Sequence, residues 1–544
     1  MSGKTAVLEQ LLQRRDAAAA LYLHEHDREV LLWSFGELQA ARSYCLGILR
    51  ASALQRGDRL LLLCSDVPHF IAVLFAAQEL ELCLLPLHPD QDRHGLEHIV
   101  RVHQPAVAIV DAAAPVALAQ LRTMVPQCLM VEAAALDWLR PLAALPAAVI
   151  ATFPPQALRA ADTDTHADAC AVVFHSSGSS GRPKALYYSR TQLDTFLQGQ
   201  QRLFAPFDDE ADSHDGSVPT PRINVLPLTH WGGLSFCLQA LSEGRAVHLF
   251  NSFDVTALLQ LIERTGCRLL MLVPAMYREM LLRLEQHCPP SLHYCLIMGE
   301  AMPAGLAASL RRRHGLLVCA AYGMSEALSG LAHGAIPLQE VPHGSCGQQV
   351  FGEMKLVAAE GVPQPSTGAA EGELWVRNAT TVPCYRDAAL LREKYLDGWY
   401  RTGDCFRRDA GGHYYFQSRL DAMCIHNGRN IYPQQVEAVF IEHRGVHDCV
   451  AAPLRMPDGR RRLGVYLVLV PGVELSSHEL LDYYLKHGAH YAAPVLILVA
   501  DTVPATWTGK PERTRIAALL QDAYDLAWAE PGTGVRNDGR AGLH

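Results

Sequence analysis

The residues best suited to chemistry form a run of small and polar side chains, Ser176-Ser177-Gly178-Ser179-Ser180-Gly181, followed by Arg182-Pro183-Lys184. An apolar segment, residues 171–174, leads into it and reads as a buried strand. Glycines let the backbone turn tightly and bring its N–H groups close to a ligand; hydroxyls add neutral donors, and Lys184 adds a point charge suited to phosphate oxygens. The combination predicts a cradle for a polyphosphate. A flexible Ser/Gly linker is the plainer alternative, but it would not leave a hydrophobic strand and end in Arg-Pro-Lys. The loop is not of the G-x-x-x-x-G-K-[ST] kind, because Pro183 stands where that pattern has a glycine.

Similar breaks follow other apolar runs. Residues 223–226 end in Pro227-Leu228-Thr229-His230-Trp231-Gly232-Gly233, and residues 292–298 end in Gly299-Glu300-Ala301. Residues 318–322 end in Gly323-Met324-Ser325-Glu326. In open α/β sheets ligands sit outside the carboxyl ends of strands, so these loops are expected to converge on one site. Further along come Arg401-Thr402-Gly403-Asp404, Arg419-Leu420-Asp421, Gly428-Arg429-Asn430-Ile431-Tyr432-Pro433 and Thr506-Trp507-Thr508-Gly509-Lys510.

The elements that must position these groups alternate. Helical spacing covers residues 1 to about 50, with Ser34 as an N-cap and Glu37 three positions on. Strands are expected at 60–64, 82–87, 107–110, 128–131, 223–226, 246–250, 269–273, 292–298 and 318–322. Helices fall between them near 67–80, 93–103, 115–124, 234–241 and 255–263. Such alternation predicts parallel sheets covered by helices. From about 345 the texture changes to short strands and turns, a small β subdomain, and near 421 a mixed α+β unit begins. The fold class is therefore α/β: a large N-terminal domain over residues 1–420, with its core from about 30, then an α+β C-terminal domain over 421–525. Residues 526–544, rich in Gly, Asp and Arg, are expected to be a disordered tail.

Bulk properties narrow the function classes. The 544 residues exceed one compact core and suggest two or more domains. A net charge of −9, with no basic stretch carrying interleaved aromatics, argues against a nucleic-acid partner. The 15 cysteines are scattered singly with no C-x-x-C pair, and the N-terminus lacks a secretory core, so reduced thiols in the cytoplasm are expected. The most apolar stretch, residues 60–87, is interrupted by Asp66, His69, Glu79 and Glu81, which excludes a membrane span there.

With these loops in order, residues 30–520 resemble the adenylate-forming superfamily of acyl-CoA synthetases, nonribosomal-peptide adenylation domains and luciferases. S-S-G-S-S-G-R-P-K is similar to its signature T-S-G-T-T-G-x-P-K. P-L-T-H-W-G-G, M-G-E-A, A-Y-G-M-S-E, Y-R-T-G-D, S-R-L-D and T-W-T-G-K follow in the family's order. The resemblance implies that a carboxylate attacks the α-phosphate of ATP, giving an acyl-adenylate and pyrophosphate, and that a thiol then takes the acyl group. It further implies that Ser176, Ser177, Gly178, Ser179, Ser180, Gly181 and Lys184 hold the β- and γ-phosphates. Gly299, Glu300 and Ala301 form the adenine loop, Tyr322 stacks on adenine beside Gly323, and Asp404, assisted by Arg419, takes the ribose hydroxyls. Ser325 contacts the α-phosphate, Glu326 ligates Mg2+, His230 faces the acid, and Lys510 bridges the acid and the α-phosphate. Asp421 is the hinge on which the C-terminal domain swings between half-reactions.

Some positions depart from the pattern: Ala185, Arg190, Thr229 and Ala320 replace residues usual in the family. Members that activate amino acids carry an aspartate where this chain has His230, and an α-ammonium in a dry pocket would lack its partner here. An unaminated acid, fatty or aryl, is therefore expected. Residues 428–437 are similar to fatty acyl-AMP ligases, which deliver to a carrier protein, whereas the short segment 385–400 lacks their usual insertion. Carrier protein, slightly favoured, and CoA both stay open as acceptors. Amino-acid activation and a luciferase-like monooxygenase remain the alternatives. A nucleotide sensor would be expected to lack Lys510 or Glu326.

Overall fold

The computed structural model describes residues 10–11, 14, 18–25, 28–52, 54–63, 67–88, 93–110, 121, 124, 129–132, 170–176, 184–207, 219–250, 252–299, 304–327, 331–332, 342, 344–350, 352–358, 361–377, 388–426, 429–505, 511–529 and 541–543.

Two largely parallel sheets carry the N-terminal part. The first has the strand order Leu129–Glu132, Val107–Val110, Arg59–Leu63, Cys83–Leu87, Cys170–Ser176 and Lys184–Ser189. Its neighbours run parallel except at the last pair, an antiparallel hairpin. Alternate residues of its strands feed two different cores. Leu60, Leu62, Leu84, Val172 and Phe174 face one, Leu61, Leu63, Leu85 and Val173 the other, so the strands read as continuous apolar runs. The helix Val67–Glu79 is buried from Phe70 through Ala77, which explains its unbroken apolar sequence. Among the described residues no helix is long and apolar enough to cross a membrane.

The second sheet has the order Leu317–Ala321, Tyr294–Met298, Leu269–Met271, Arg222–Asn224, Val247–Phe250, Ala19–Glu25 and Arg28–Ser34. Six strands are parallel, and the last is an antiparallel edge. Here the helical expectation for residues 1 to 50 is corrected. Ala19–Glu25 and Arg28–Ser34 form two strands, and the helix begins only at Phe35, behind a capping box in which Ser34 and Glu37 bond reciprocally. The core therefore starts before residue 30. The short alternation in A-L-Y-L-H is decided by pairing to Val247–Phe250, a neighbour more than two hundred residues away.

That pairing buries two histidines side by side. Nε2 of His24 lies 2.9 Å from Nδ1 of His248, His248 stacks on Tyr22 and His24 on Phe250. Burial holds His24 down at about 4 and His248 at about 3; burial likewise lowers His175, next to the signature loop, to about 4. Each folded value lies below the unfolded 6.5, so below pH 6.5 the unfolded chain binds protons that the native state excludes. Stability present above pH 6.5 should fall as pH drops towards 4, at roughly 1.4 kcal/mol per pH unit for each ring fully engaged. Urea unfolding at pH 7.5, 6.5 and 5.5 checks this, and His248→Gln should flatten the slope. A profile unchanged by that substitution would count against the pair.

A five-stranded antiparallel sheet (Glu353–Val357, Ala370–Arg377, Trp399–Arg408, Tyr395–Leu396 and Tyr414–Arg419) confirms the small β subdomain. Beyond it, Val446–Arg455, Arg461–Leu469 and Leu496–Ala500 form a mixed sheet. The helices Pro433–Ile441 and Ser477–His487 pack on one face and Arg513–Ala529 on the other. Every residue of these two cores lies at or after Cys424. Arg278 of the helix Pro274–Leu284 reaches across to Asp448 at 2.9 Å, and Tyr432 donates to Glu371 at 2.6 Å. The tail expectation is corrected in two places. The last helix carries on through residues 526–529, with Ile516, Leu520 and Tyr524 as its buried stripe, and Ala541–Leu543 pairs with Leu496–Leu498.

Candidate active site

Because six strands of the second sheet run parallel, their carboxyl ends open on one edge. Three of the expected loops leave from it, after Asn224, Met298 and Ala321. Asn224 shapes the first: its side chain donates to the carbonyl of Gly233 at 3.1 Å and accepts from the N–H of Leu226 at 3.1 Å. This folds P-L-T-H back over the helix Trp231–Ser242. A side chain on Gly233 would collide with the carbonyls of Leu226 and Pro227, at 2.5 and 2.3 Å from its Cβ.

His230 is the N-cap of that helix. Its Nδ1 accepts from the N–H of Gly232 at 3.1 Å, which leaves the ring proton on Nε2. The half-buried ring thus caps the helix through Nδ1 and carries its donor at Nε2. Trp231 behind it is buried, stacked on Tyr188 at 5.1 Å and edge-on to Phe174. Tyr188 in turn donates to the carbonyl of Ser325. The signature hairpin, the His230 loop and the Y-G-M-S-E turn are therefore joined through three side chains.

The Y-G-M-S-E turn and the T-G-D strand meet directly. Tyr322 donates its hydroxyl to Asp404 Oδ2 at 2.6 Å, and Arg419 places Nη1 2.9 Å from Oδ1. Asp404 and Arg419 are opposite partners on neighbouring antiparallel strands, which sets the ion pair. Burial raises the Asp404 carboxyl; Arg419 and Tyr322 pull it down, and the charge of Glu326 pushes it up again. Burial also raises the Tyr322 hydroxyl well above the ordinary tyrosine value, with Asp404 adding to it. Burial alone would lower the Arg419 guanidinium, yet Asp404 and Asp421 leave it raised. The carboxyl group is thus oriented by Tyr322 and backed by the Arg419 cation, while burial leaves it raised on balance. Such a group accepts hydroxyl donors well, because each oxygen keeps a lone pair beyond the bond it already takes.

Local chemistry explains R-T-G-D. Thr402 Oγ1 donates to the carbonyl of Leu374 at 2.6 Å and accepts from the N–H of Asp404 at 3.0 Å, fixing the strand on either side of Gly403. Gly403 sits at φ +73°, where a side chain would be strained. Beside it lies a cavity of about 150 Å³ lined by Glu373, Glu393, Lys394, Arg401, Gly403, Arg419, Leu420 and Asp421. Sequence reasoning passed over Glu373, Glu393 and Lys394, and named Arg401 in its motif without giving it a role.

Three candidate loops have roots closed by backbone pairing: Ser176 opposite Lys184, Tyr322 opposite Leu331, and Ala505 opposite Pro511. Ser177, Gly178, Ser179, Ser180, Gly181, Glu300, Ala301 and Lys510 lie outside the described residues, and Ser176 and Lys184 are placed only as strand ends. Gly299 follows Met298 at φ +77°, Gly323 follows Tyr322, and Ser325 and Glu326 are half-buried in the turn beyond. Asp421 is exposed in a turn, its carbonyl accepting from Arg461.

Residues 8–386 match the family model described as AMP-binding enzyme. Feruloyl-CoA synthase of Amycolatopsis sp is 28% identical over 494 residues, covering 88% of this chain and 92% of the relative. Fatty acid–[acyl-carrier-protein] ligase MmaC of Mycobacterium marinum is 24% identical over 551 residues, covering 94% and 97%. Among solved structures, the anthranilate CoA ligase AuaEII in complex with anthranoyl-AMP superposes with a TM-score of 0.78. It is 21% identical and covers 95% of this chain and 97% of that one.

Proposed function

The chain belongs to the AMP-binding enzyme family, and on that premise we propose that it joins a non-amino carboxylic acid, fatty or aryl, to AMP at the expense of ATP. The acyl group then passes to a phosphopantetheine thiol, on CoA or a carrier protein. The observation that carries this is the Tyr322–Asp404–Arg419 cluster, in which residues 82 and 15 positions from Asp404 hold one buried carboxylate ready beside an open cavity. The printed activities of the relatives, one a CoA ligase and one a carrier-protein ligase, support the same class of reaction and leave both acceptors.

On this proposal Asp404 accepts both ribose hydroxyls while Tyr322 orients it and offers its ring face to adenine. The glycine and serine residues of 176–184 wrap the β- and γ-phosphates, so that the leaving pyrophosphate departs in line. His230 presents Nε2–H towards the acid carboxylate, and the absence of an aspartate there disfavours an α-ammonium. Lys510 bridges the attacking carboxylate and the α-phosphate, where two anions must approach. Glu326 supplies one carboxylate for Mg2+. That ion would neutralise phosphate charge.

The C-terminal unit is proposed to rotate about Asp421 between the two half-reactions, since its cores contain nothing from before Cys424. Asp421→Pro should then spare pyrophosphate exchange and block thioester formation by at least tenfold. Equal loss of both would sink the hinge. The whole proposal is tested by carboxylate-dependent pyrophosphate exchange over fatty, aryl and amino acids, followed by competition between CoA and holo-carrier protein. Exchange with no acid of the panel would overturn it.

A further inference from the structure

Cys83 and Cys170 place their sulfurs 3.2 Å apart on neighbouring strands of the first sheet. The contact is made by a fault in the hairpin. Cys170 pairs with Ser189 and Val172 with Tyr188, so one extra residue is inserted between them. Without this bulge Cys170 would share a face with Val172 and Phe174. With it, Ala171 and Val172 both join the core around Phe174, and Cys170 turns to the opposite face, where Cys83, Leu85 and Val173 lie. Bulges re-aim side chains in this way. Cys83 is buried and Cys170 half-buried, so an oxidant meets Cys170 first.

We propose that Cys83 and Cys170 are a reversible thiol–disulfide couple at the root of the strand that carries the signature loop. With a peroxide as oxidant, the Cys170 thiolate attacks one oxygen, the O–O bond breaks, and Cys170 becomes a sulfenic acid. The Cys83 thiolate then attacks that sulfur; the S–S bond forms, the S–O bond breaks, and hydroxide leaves with the proton given up by Cys83. Two thiols and one peroxide give one disulfide and two waters. A dithiol reverses it by exchange. Closing the gap to a bonded distance shortens it by roughly 1 Å and pulls the strand that ends at Ser176 opposite Lys184. The effect on ATP rests on the proposed phosphate role of that loop; the bridge itself does not.

The test is stepwise peroxide treatment of the full chain, read by intact mass, by mapping of linked peptides and by the KM for ATP in pyrophosphate exchange. A species lighter by two hydrogen atoms, linked Cys83 to Cys170 and reversed by dithiothreitol, is expected. In it the KM for ATP should rise by about tenfold, as a displacement of this size can produce. Cys170→Ser, a change at a half-buried site, should abolish both, while Cys45→Ser should abolish neither. Absence of the linked species, linkage through another cysteine, or oxygen added to Cys170 without a bridge would overturn the couple. A bridge with unchanged KM would overturn its coupling to the loop. Failure of exchange with every acid would remove the kinetic readout alone and leave the mass result standing.

Discussion

Lys510→Ala is expected to lower the rate of pyrophosphate exchange by at least 10²-fold while leaving ATP binding within about threefold. A cation that meets charge only as two anions close contributes to the transition state and little to the ground state. Its loop is short and closed at the root by the pairing of Ala505 with Pro511, and the N–H of Glu512 bonds to the carbonyl of Pro504 at 2.8 Å. Arg513 fastens the next helix to Glu437 at 2.9 Å, so truncation at 510 should leave the fold intact. Lys184→Ala serves as the contrast. That lysine ends a strand opposite Ser176, and its proposed task is to hold phosphates in the ground state and transition state alike. The expected result is a KM for ATP raised about tenfold with kcat little changed. The reverse ranking of the two lysines would mean that their roles have been exchanged.

On the proposed ribose role, Asp404→Ala should cost about 10²-fold to 10⁴-fold in kcat/KM for ATP. Two hydrogen bonds to a charged acceptor contribute about 1.5–3 kcal/mol each, and both are lost. Stability should suffer less. Tyr322 loses its acceptor, but the Arg419 side chain is 46% exposed, and water can take over the solvation of a cation that is not sealed in. A loss on the order of 1–2 kcal/mol follows. Comparing ATP with 2′-deoxy-ATP separates ribose recognition from a general disturbance. The native chain should discriminate strongly against the deoxy substrate, and the variant should discriminate weakly. Undiminished discrimination in the variant would remove Asp404 from the ribose site.

Several features were legible because their causes are local. The capping box at Ser34 and Glu37 depends on four consecutive residues, and the structure forms both of its bonds. The apolar strands and helix between residues 59 and 87 show their burial directly in composition. The order of the Gly/Ser loop, the Y-G-M-S-E turn, R-T-G-D and the last lysine loop pointed to the family that the match over residues 8–386 shows, since ligand chemistry constrains residue types even where packing does not.

What the sequence by itself determined was which residues could do chemistry and in what kind of element each one sits. Propensity, capping and turn formation act over a few residues, and a chain carries that information at short range. Only the tertiary structure decided which of those residues meet. Ala19–Glu25 is a strand because Val247–Phe250 pairs with it, Arg28–Ser34 pairs in turn with that strand, and Tyr322 holds Asp404 because two separate sheets bring them within 2.6 Å. Cys170 faces Cys83 because one inserted residue turns it from one core to the other. These are contacts between distant segments, set by register and by how whole sheets pack, and no short stretch of the chain encodes them.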